Sequence, residues 1–215
     1  MSVDVKICGL KTPATVTAAV DAGAFMLGFN FYAKSPRYLT PSLAGELGKL
    51  VPSNVTKVGL IVDASDDAIG AILAEAPLNM LQLHGHETPA RVAEIRARFG
   101  LPVMKVVSVA DAADIATAHD YETVADRLLF DTKPPKSMAN ALPGGNALSF
   151  DWALLKGQSF TLPWMLAGGL NAGNLQEAVT RTGAGAVDTS SGVEDAPGEK
   201  NISKIKEFVA LARSL

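Results

Sequence analysis

The sequence predicts a closed (β/α)8 barrel, with residues 1–215 as a single domain, on three observations. Eight short apolar runs recur along the chain, alanine-rich segments with helical spacing lie between them, and the repeat of about 27 residues suits eight strand–helix units. Strands that alternate with helices pair in parallel through right-handed crossovers. An open doubly wound sheet, flavodoxin-like or Rossmann-like, is the alternative use of the same pattern. Its dinucleotide-binding form expects GxGxxG after the first strand; none is present, and Gly168-Gly169 near the end of the chain could not replace it.

The first run is Val3 to Cys8, where Val5 and Ile7 alternate with Lys6 and Cys8. With the apolar pair against the helices, the lysine and the thiol point together into the interior. A thiol beside an ammonium is poised to ionise, so Lys6 or nearby dipoles are expected to favour the Cys8 anion. The helical segment Ala14 to Ala22 leads to the second strand, Ala24 to Asn30, and then to the loop Asn30-Phe31-Tyr32-Ala33-Lys34-Ser35-Pro36-Arg37-Tyr38. Either the charges of that loop are merely solvated, or Arg37 turns its guanidinium to the mouth, where a fork of donors suits bidentate capture of a substrate carboxylate.

Ser42 to Leu50 reads as helix, Lys57 to Asp63 as the third strand and Asp66 to Glu75 as the next helix; Thr, Ser, Asp or Pro opens many of these segments, as helix starts require. In the fourth strand, Met80 to His84, Leu81 and Leu83 face outward and leave Gln82 and His84 inside. The helix Pro89 to Phe99 and the fifth strand, Pro102 to Val107, follow. In the sixth, Leu128 to Asp131, parity turns Leu128 and Phe130 to the helices and Leu129 and Asp131 inward, with Asp131 nearest the mouth. Residues 133–149 form a loop of a length that is usually functional.

The seventh strand, Pro163 to Ala167, leaves through Leu166-Ala167-Gly168-Gly169-Leu170-Asn171, and the helix Ala172 to Arg181 leads to the eighth, Ala184 to Thr189, with Val187 outside and Asp188 inside. The eighth leaves through Asp188-Thr189-Ser190-Ser191-Gly192-Val193-Glu194. Backbone amides at Gly168, Gly169, Ser190, Ser191 and Gly192 can converge on an anion, as many barrels hold a substrate phosphate after strands seven and eight. The polar groups thus gather at the carboxyl ends of the strands, where unsatisfied burial would cost about 1–3 kcal/mol each, so a site explains them better than a core does.

Composition narrows the partners. With 48% apolar residues and a net charge of −3, the chain reads as an ordinary globular protein without the clustered basic surface that binds phosphate backbones, so a small molecule is expected rather than a nucleic acid. No apolar run reaches a membrane span and no basic amphipathic stretch suggests membrane-surface binding. The single cysteine cannot form an internal disulfide, and Met1-Ser2-Val3-Asp4 runs into a strand without signal-peptide features; the expected compartment is the cytoplasm.

Blander readings stand beside these. Cys8 could be a small buried apolar residue, and Asp131 an N-cap or a salt-bridged carboxylate at a loop start. His84 and His86 could join Cys8 at a metal, although their spacing fits no compact ligand motif, and nothing resembles the local signatures of Cys-His proteases.

Six ordered stretches carry a resemblance that spans nearly the whole chain: Val5-Lys6-Ile7-Cys8-Gly9-Leu10; Gly28-Phe29-Asn30-Phe31 with Lys34-Ser35-Pro36-Arg37-Tyr38; Leu81-Gln82-Leu83-His84-Gly85; Leu129-Phe130-Asp131-Thr132; Ala167-Gly168-Gly169-Leu170-Asn171; and Val187-Asp188-Thr189-Ser190-Ser191-Gly192-Val193-Glu194 with Pro197-Gly198. Together they closely resemble the phosphoribosylanthranilate isomerase family, which performs an Amadori rearrangement in the third step of tryptophan synthesis from chorismate. The resemblance implies Cys8 as general base, Asp131 as general acid and Arg37 on the anthranilate carboxylate of a phosphorylated substrate, with no cofactor and no metal. His84 and Asp188 are further candidate substrate-binding residues, and the chain is expected to be a monomer or a homodimer.

Two departures stand out. Gly144-Gly145-Asn146-Ala147 replaces a Gly-Gly-Thr-Gly-like loop before Phe150-Asp151-Trp152 of the sixth helix, and Asn201 stands where aspartate is expected, although asparagine caps a helix about as well. The rival readings are the ProFAR isomerase barrel of histidine synthesis, a non-catalytic phosphometabolite-binding barrel and a thiol redox sensor. The first is expected to use two aspartates where this chain has Cys8 and Asp131, and the other two do not need Asp131 at all.

Overall fold

The computed structural model describes residues 2–135, 142 and 144–215. Its strands close into one parallel barrel in sequence order: β1 (Asp4–Cys8), β2 (Met26–Asn30), β3 (Thr56–Ile61), β4 (Met80–Leu83), β5 (Val103–Val109), β6 (Arg127–Thr132), β7 (Trp164–Leu166) and β8 (Ala186–Thr189). β8 returns to β1 with Lys6 beside Asp188 in register. Helices α1 (Pro13–Ala22), α2 (Pro41–Gly48), α3 (Asp66–Glu75), α4 (Pro89–Phe99), α5 (Ala112–Ala116), α6 (Leu175–Thr182) and α7 (Ile202–Ser214) fill the connections and the end of the chain, and a short antiparallel pair, β9 (Glu194–Ala196) and β10 (Glu199–Lys200), precedes α7.

The helix starts are built as the residues dictate. Thr12, Thr40, Ser65 and Thr88 each accept a hydrogen bond from an amide in the first turn that follows, and Pro13, Pro41 and Pro89 open three of those helices where a missing N–H costs nothing. Asn201 caps α7 by accepting from the Lys204 amide at 3.1 Å, so it does the capping work expected of aspartate. The segment after β6 departs from expectation: around Phe150-Asp151-Trp152 the chain makes a four-residue 3-10 turn, Trp152–Leu155, capped by Asp151 and ended before Gly157, rather than a sixth α-helix. Within the long loop expected over 133–149, residues 136–141 and 143 lie outside the described residues.

Strand parity separates two apolar layers. Val5, Ile7, Leu27, Phe29, Leu81, Leu83, Leu128, Phe130 and Val187 pack outward among the helices, each buried side chain contributing about 1.5–3 kcal/mol. Met26, Val58, Met80, Met104, Val106, Leu129 and Met165 form a separate interior cluster, with methionine side chains fitting the tapering barrel. Above this plug the inward positions turn polar, and the plug forms the floor of the mouth.

Candidate active site

Cys8 ends β1 opposite Gly28 of β2, an inward position where any side chain would meet the thiol. Lys6, two residues earlier on the same face, is wholly buried and donates to Asp188 Oδ1 at 2.8 Å. Lys6 does favour the Cys8 anion, but the expectation that the thiol is thereby poised to ionise is corrected. Burial pushes the thiol up from its usual value, and although Lys6 and Lys200 pull the other way, Asp188 offsets much of the lysine's charge. Desolvation therefore outweighs one already paired ammonium, and the neutral thiol is the favoured form of the free site.

Asp131 sits at the mouth end of β6 with Oδ1 accepting from the Thr132 amide at 2.8 Å. Its Oδ2 lies 3.3 Å from His84 Nε2, off the line of a hydrogen bond. Behind the imidazole, Gln82 Nε2 is 3.2 Å from His84 Nδ1. Gly144 of the β6–β7 connection lies directly over Asp131 and His84, where a β-carbon would collide with both, so only glycine lets the backbone pass this close.

Arg37 reaches the same pocket because its loop is folded back on itself: Ser35 Oγ accepts from the Arg37 amide at 3.1 Å and from Asn30 Nδ2 at 3.2 Å, and Asn30 Oδ1 accepts from the Tyr32 amide at 2.8 Å. The bidentate edge expected for a substrate carboxylate is engaged within the protein, Nε to Glu194 Oε1 and NH2 to Glu194 Oε2, both at 2.8 Å. NH2 also donates to the Gly145 carbonyl at 3.3 Å, and among the described residues NH1 has no hydrogen bond, so NH1 is what Arg37 offers the pocket. Lys200 Nζ closes the network, donating to Glu194 Oε1 at 2.6 Å and to Ser190 O and Oγ at 2.9 and 3.0 Å, while Ser190 Oγ donates to the Cys8 carbonyl at 3.0 Å. Burial lowers Lys200 to about 8, with Glu194 opposing the shift.

After β7, Gly168 and Gly169 take positive φ of 88° and 64°, which favours glycine. The Gly168 carbonyl accepts from Ser149 Oγ, and the Gly169 carbonyl from the side-chain Nδ2 of Asn171 and of Asn174. Thr189 Oγ donates to the Leu170 carbonyl at 2.7 Å and ties this loop to the exit of β8, where Ser191–Val193 makes a 3-10 turn. Among the described residues the amides of Gly168, Gly169 and Ser190 make no hydrogen bond. Together with Ser191 these residues line one recess beside Asp131 and Asp188, and Gly192 packs against the Leu170 carbonyl below it.

One pocket is thus lined by Cys8, Arg37, Gln82, His84, Asp131, Asp188 and Ser190. His86 does not join it: the side chain is exposed and faces Asp63 at 3.1 Å, and among the described residues no group of three or more His, Cys, Asp or Glu could hold a metal ion. Sequence reasoning did not assign roles to Glu194 or Lys200, nor to the buried pair Lys105–Glu87 at 2.7 Å, in which Glu87 also accepts from the Asp63 and Gly85 amides and pins the turn after His84. The presence of Glu194 in the last motif was the one signal pointing to it.

The chain matches the sequence model of the family described as N-(5'phosphoribosyl)anthranilate (PRA) isomerase over residues 5–211. It is 56% identical over 212 residues to the N-(5'-phosphoribosyl)anthranilate isomerase of Paracoccus denitrificans (strain Pd 1222), covering 99% of this chain and 98% of that one. The protein of the same name from Rhodospirillum centenum (strain ATCC 51521 / SW) is 55% identical over 215 residues and the full length of both. Among solved structures, phosphoribosyl anthranilate isomerase from Thermotoga maritima superposes with a TM-score of 0.87 at 35% identity, over 99% of this chain and 100% of that one. A phosphoribosyl anthranilate isomerase in complex with reduced 1-(o-carboxyphenylamino)-1-deoxyribulose 5-phosphate gives 0.82 at 32% identity, with the same coverage. A barrel with this mouth, matched along its length by such relatives, belongs to the phosphoribosylanthranilate isomerase family.

Proposed function

We infer that this chain catalyses the Amadori rearrangement of N-(5-phospho-β-D-ribosyl)anthranilate to 1-(2-carboxyphenylamino)-1-deoxy-D-ribulose 5-phosphate, in tryptophan synthesis, with Cys8 as general base and Asp131 as general acid. The observation that carries the assignment of roles is that a thiol from β1 and a carboxylate from β6 line the same pocket, between the glycine-bearing exits of β7 and β8 and the NH1 edge of Arg37.

In this reading the amides of Gly168, Gly169, Ser190, Ser191 and Gly192 hold the substrate phosphate, and Arg37 meets the anthranilate carboxylate through NH1. His84 and Asp188 line the sugar between them. Protonated Asp131 gives its proton to the ribose ring oxygen, the C1′–O bond breaks and a Schiff base forms. Cys8 as thiolate removes the proton from C2′, and the resulting enolamine becomes the aminoketose. Burial makes the thiol hard to ionise, but a thiolate with a raised pKa is also the stronger base, and Lys6 on the same strand face supports the charge. The reading takes residues 1–215 as one barrel domain that acts in the cytoplasm as a monomer or homodimer, on a small-molecule substrate rather than a nucleic acid. Among the described residues no helix is long and apolar enough to cross a membrane.

The test follows the fluorescence of phosphoribosylanthranilate generated in place from anthranilate and phosphoribosyl pyrophosphate by a coupling transferase. Loss of signal with the native protein and not with Asp131→Ala is expected; no loss with either would overturn the reading.

A further inference from the structure

The Gln82–His84 contact has a direction. An amide nitrogen only donates, so Gln82 Nε2 at 3.2 Å makes His84 Nδ1 the acceptor, and a neutral imidazole then carries its proton on Nε2, the atom 3.3 Å from Asp131 Oδ2. Both residues are buried at the pocket wall, Gln82 on the inward face of β4 and His84 two positions on, just past the end of the strand. We propose that Gln82 is a positioning residue that fixes His84 as the Nε2–H tautomer, so that His84 cannot accept the proton of Asp131 and instead donates to the carboxylate that remains after the acid has acted. The proposal rests on the reading of Asp131 as the acid.

The proton balance is simple. The Asp131 O–H bond breaks, the ribose ring oxygen gains the proton, and His84 keeps its own proton throughout. Thr132 N–H already holds Oδ1, so Oδ2 is the oxygen that can carry the acid's proton into the pocket. With its proton on Nε2, 3.3 Å from Oδ2, the imidazole offers that proton no lone pair, and the substrate is its acceptor. A slight turn of the ring aligns the contact, as catalytic hydrogen bonds tighten in the substrate complex. The other titratable groups that line this pocket with Asp131 and His84 are Cys8 from β1, Tyr32 and Arg37 from the loop before α2 and Asp188 from β8, with Lys6 beneath Asp188.

The opposite amide orientation, Gln82 Oε1 accepting from Nδ1–H, would leave an Nε2 lone pair facing the acid, and long-range 1H–15N correlation of the histidine rings separates the two. The chain has three histidines, and a His84→Asn spectrum assigns the ring in question. At neutral pH the full-length native protein is expected to show His84 as the Nε2–H tautomer. Gln82→Met, which keeps length and loses the donor, is expected to show Nδ1–H in part, to lower kcat about tenfold with KM little changed, and to move the limb of the kcat/KM profile that Asp131 contributes to higher pH, because the released lone pair now favours the protonated acid. A native Nδ1–H tautomer, or a folded Gln82→Met protein with native kcat and limbs, would overturn the proposal. Should Gln82→Met not fold, the native spectrum alone decides. A native Nε2–H tautomer in a protein that does not consume phosphoribosylanthranilate would count against the assigned reaction and leave the hydrogen-bond direction standing.

Discussion

Glu194 grips Arg37 with both carboxylate oxygens at 2.8 Å and reaches Lys200 with one of them at 2.6 Å, so a single buried anion orders the two cations on the Arg37 side of the pocket. Removing one partner of such a cluster leaves uncompensated charge behind. Glu194→Gln is expected to destabilise the fold by about 3 kcal/mol or more, read as a lower urea midpoint, and to raise KM because the guanidinium loses its anchor. The sign with pH follows from the carboxyl itself: burial works to raise it, but Arg37 and Lys200 hold it below its usual 4.5. Its stabilising contribution is therefore complete above pH 4.5 and is lost as pH falls through the lower folded value, so native stability falls more steeply on acidification than that of Glu194→Gln.

Gly28 leaves room for the Cys8 thiol. A β-carbon there would stand 2.8 Å from Cys8 Sγ and 3.0 Å from its Cα, and the second of these is backbone that cannot swing aside. Gly28→Ala is expected to cost about 1–3 kcal/mol in thermal stability and to reduce kcat at least tenfold by displacing the thiol. A folded variant with native kcat would show that the position of Cys8 is not critical.

Cys8 is the only cysteine, so its ionisation can be read directly from the pH dependence of iodoacetamide alkylation. Burial favours the neutral thiol in the folded protein. The midpoint of the rate profile is expected to lie higher for the native protein than for the urea-unfolded chain. A native midpoint at or below the unfolded one would mean that Lys6, despite its bond to Asp188, wins over desolvation.

Much of this was legible in the residues because alternation is a local signal. Reading Val5, Ile7, Leu128 and Phe130 as outward made Lys6, Cys8 and Asp131 inward without reference to any partner, and the structure places them so. The balance of forces at Cys8 was not legible: Lys6 is two residues away in sequence, but its counter-ion Asp188 is 182 residues from that lysine. The same distance problem hid the engagement of the Arg37 fork by Glu194 and the role of Lys200. In the sequence Gly144 belongs only to a loop that departs from a Gly-Gly-Thr-Gly-like pattern, whereas its position against Asp131 and His84 emerges only when the β6–β7 connection folds over the mouth. The shortened turn at Trp152–Leu155 escaped notice because four residues carry too little helical periodicity to measure.

The most direct test of the division of labour between Cys8 and Asp131 compares binding with turnover in Cys8→Ser and Asp131→Asn, using the reduced product 1-(o-carboxyphenylamino)-1-deoxyribulose 5-phosphate as the ligand. If one residue is the base and the other the acid, both variants bind the analogue with the native Kd while kcat falls by about 10² to 10⁴-fold in each. Native kcat in either variant, or a loss confined to KM and Kd, would contradict the assignment and reduce that residue to a binding contact.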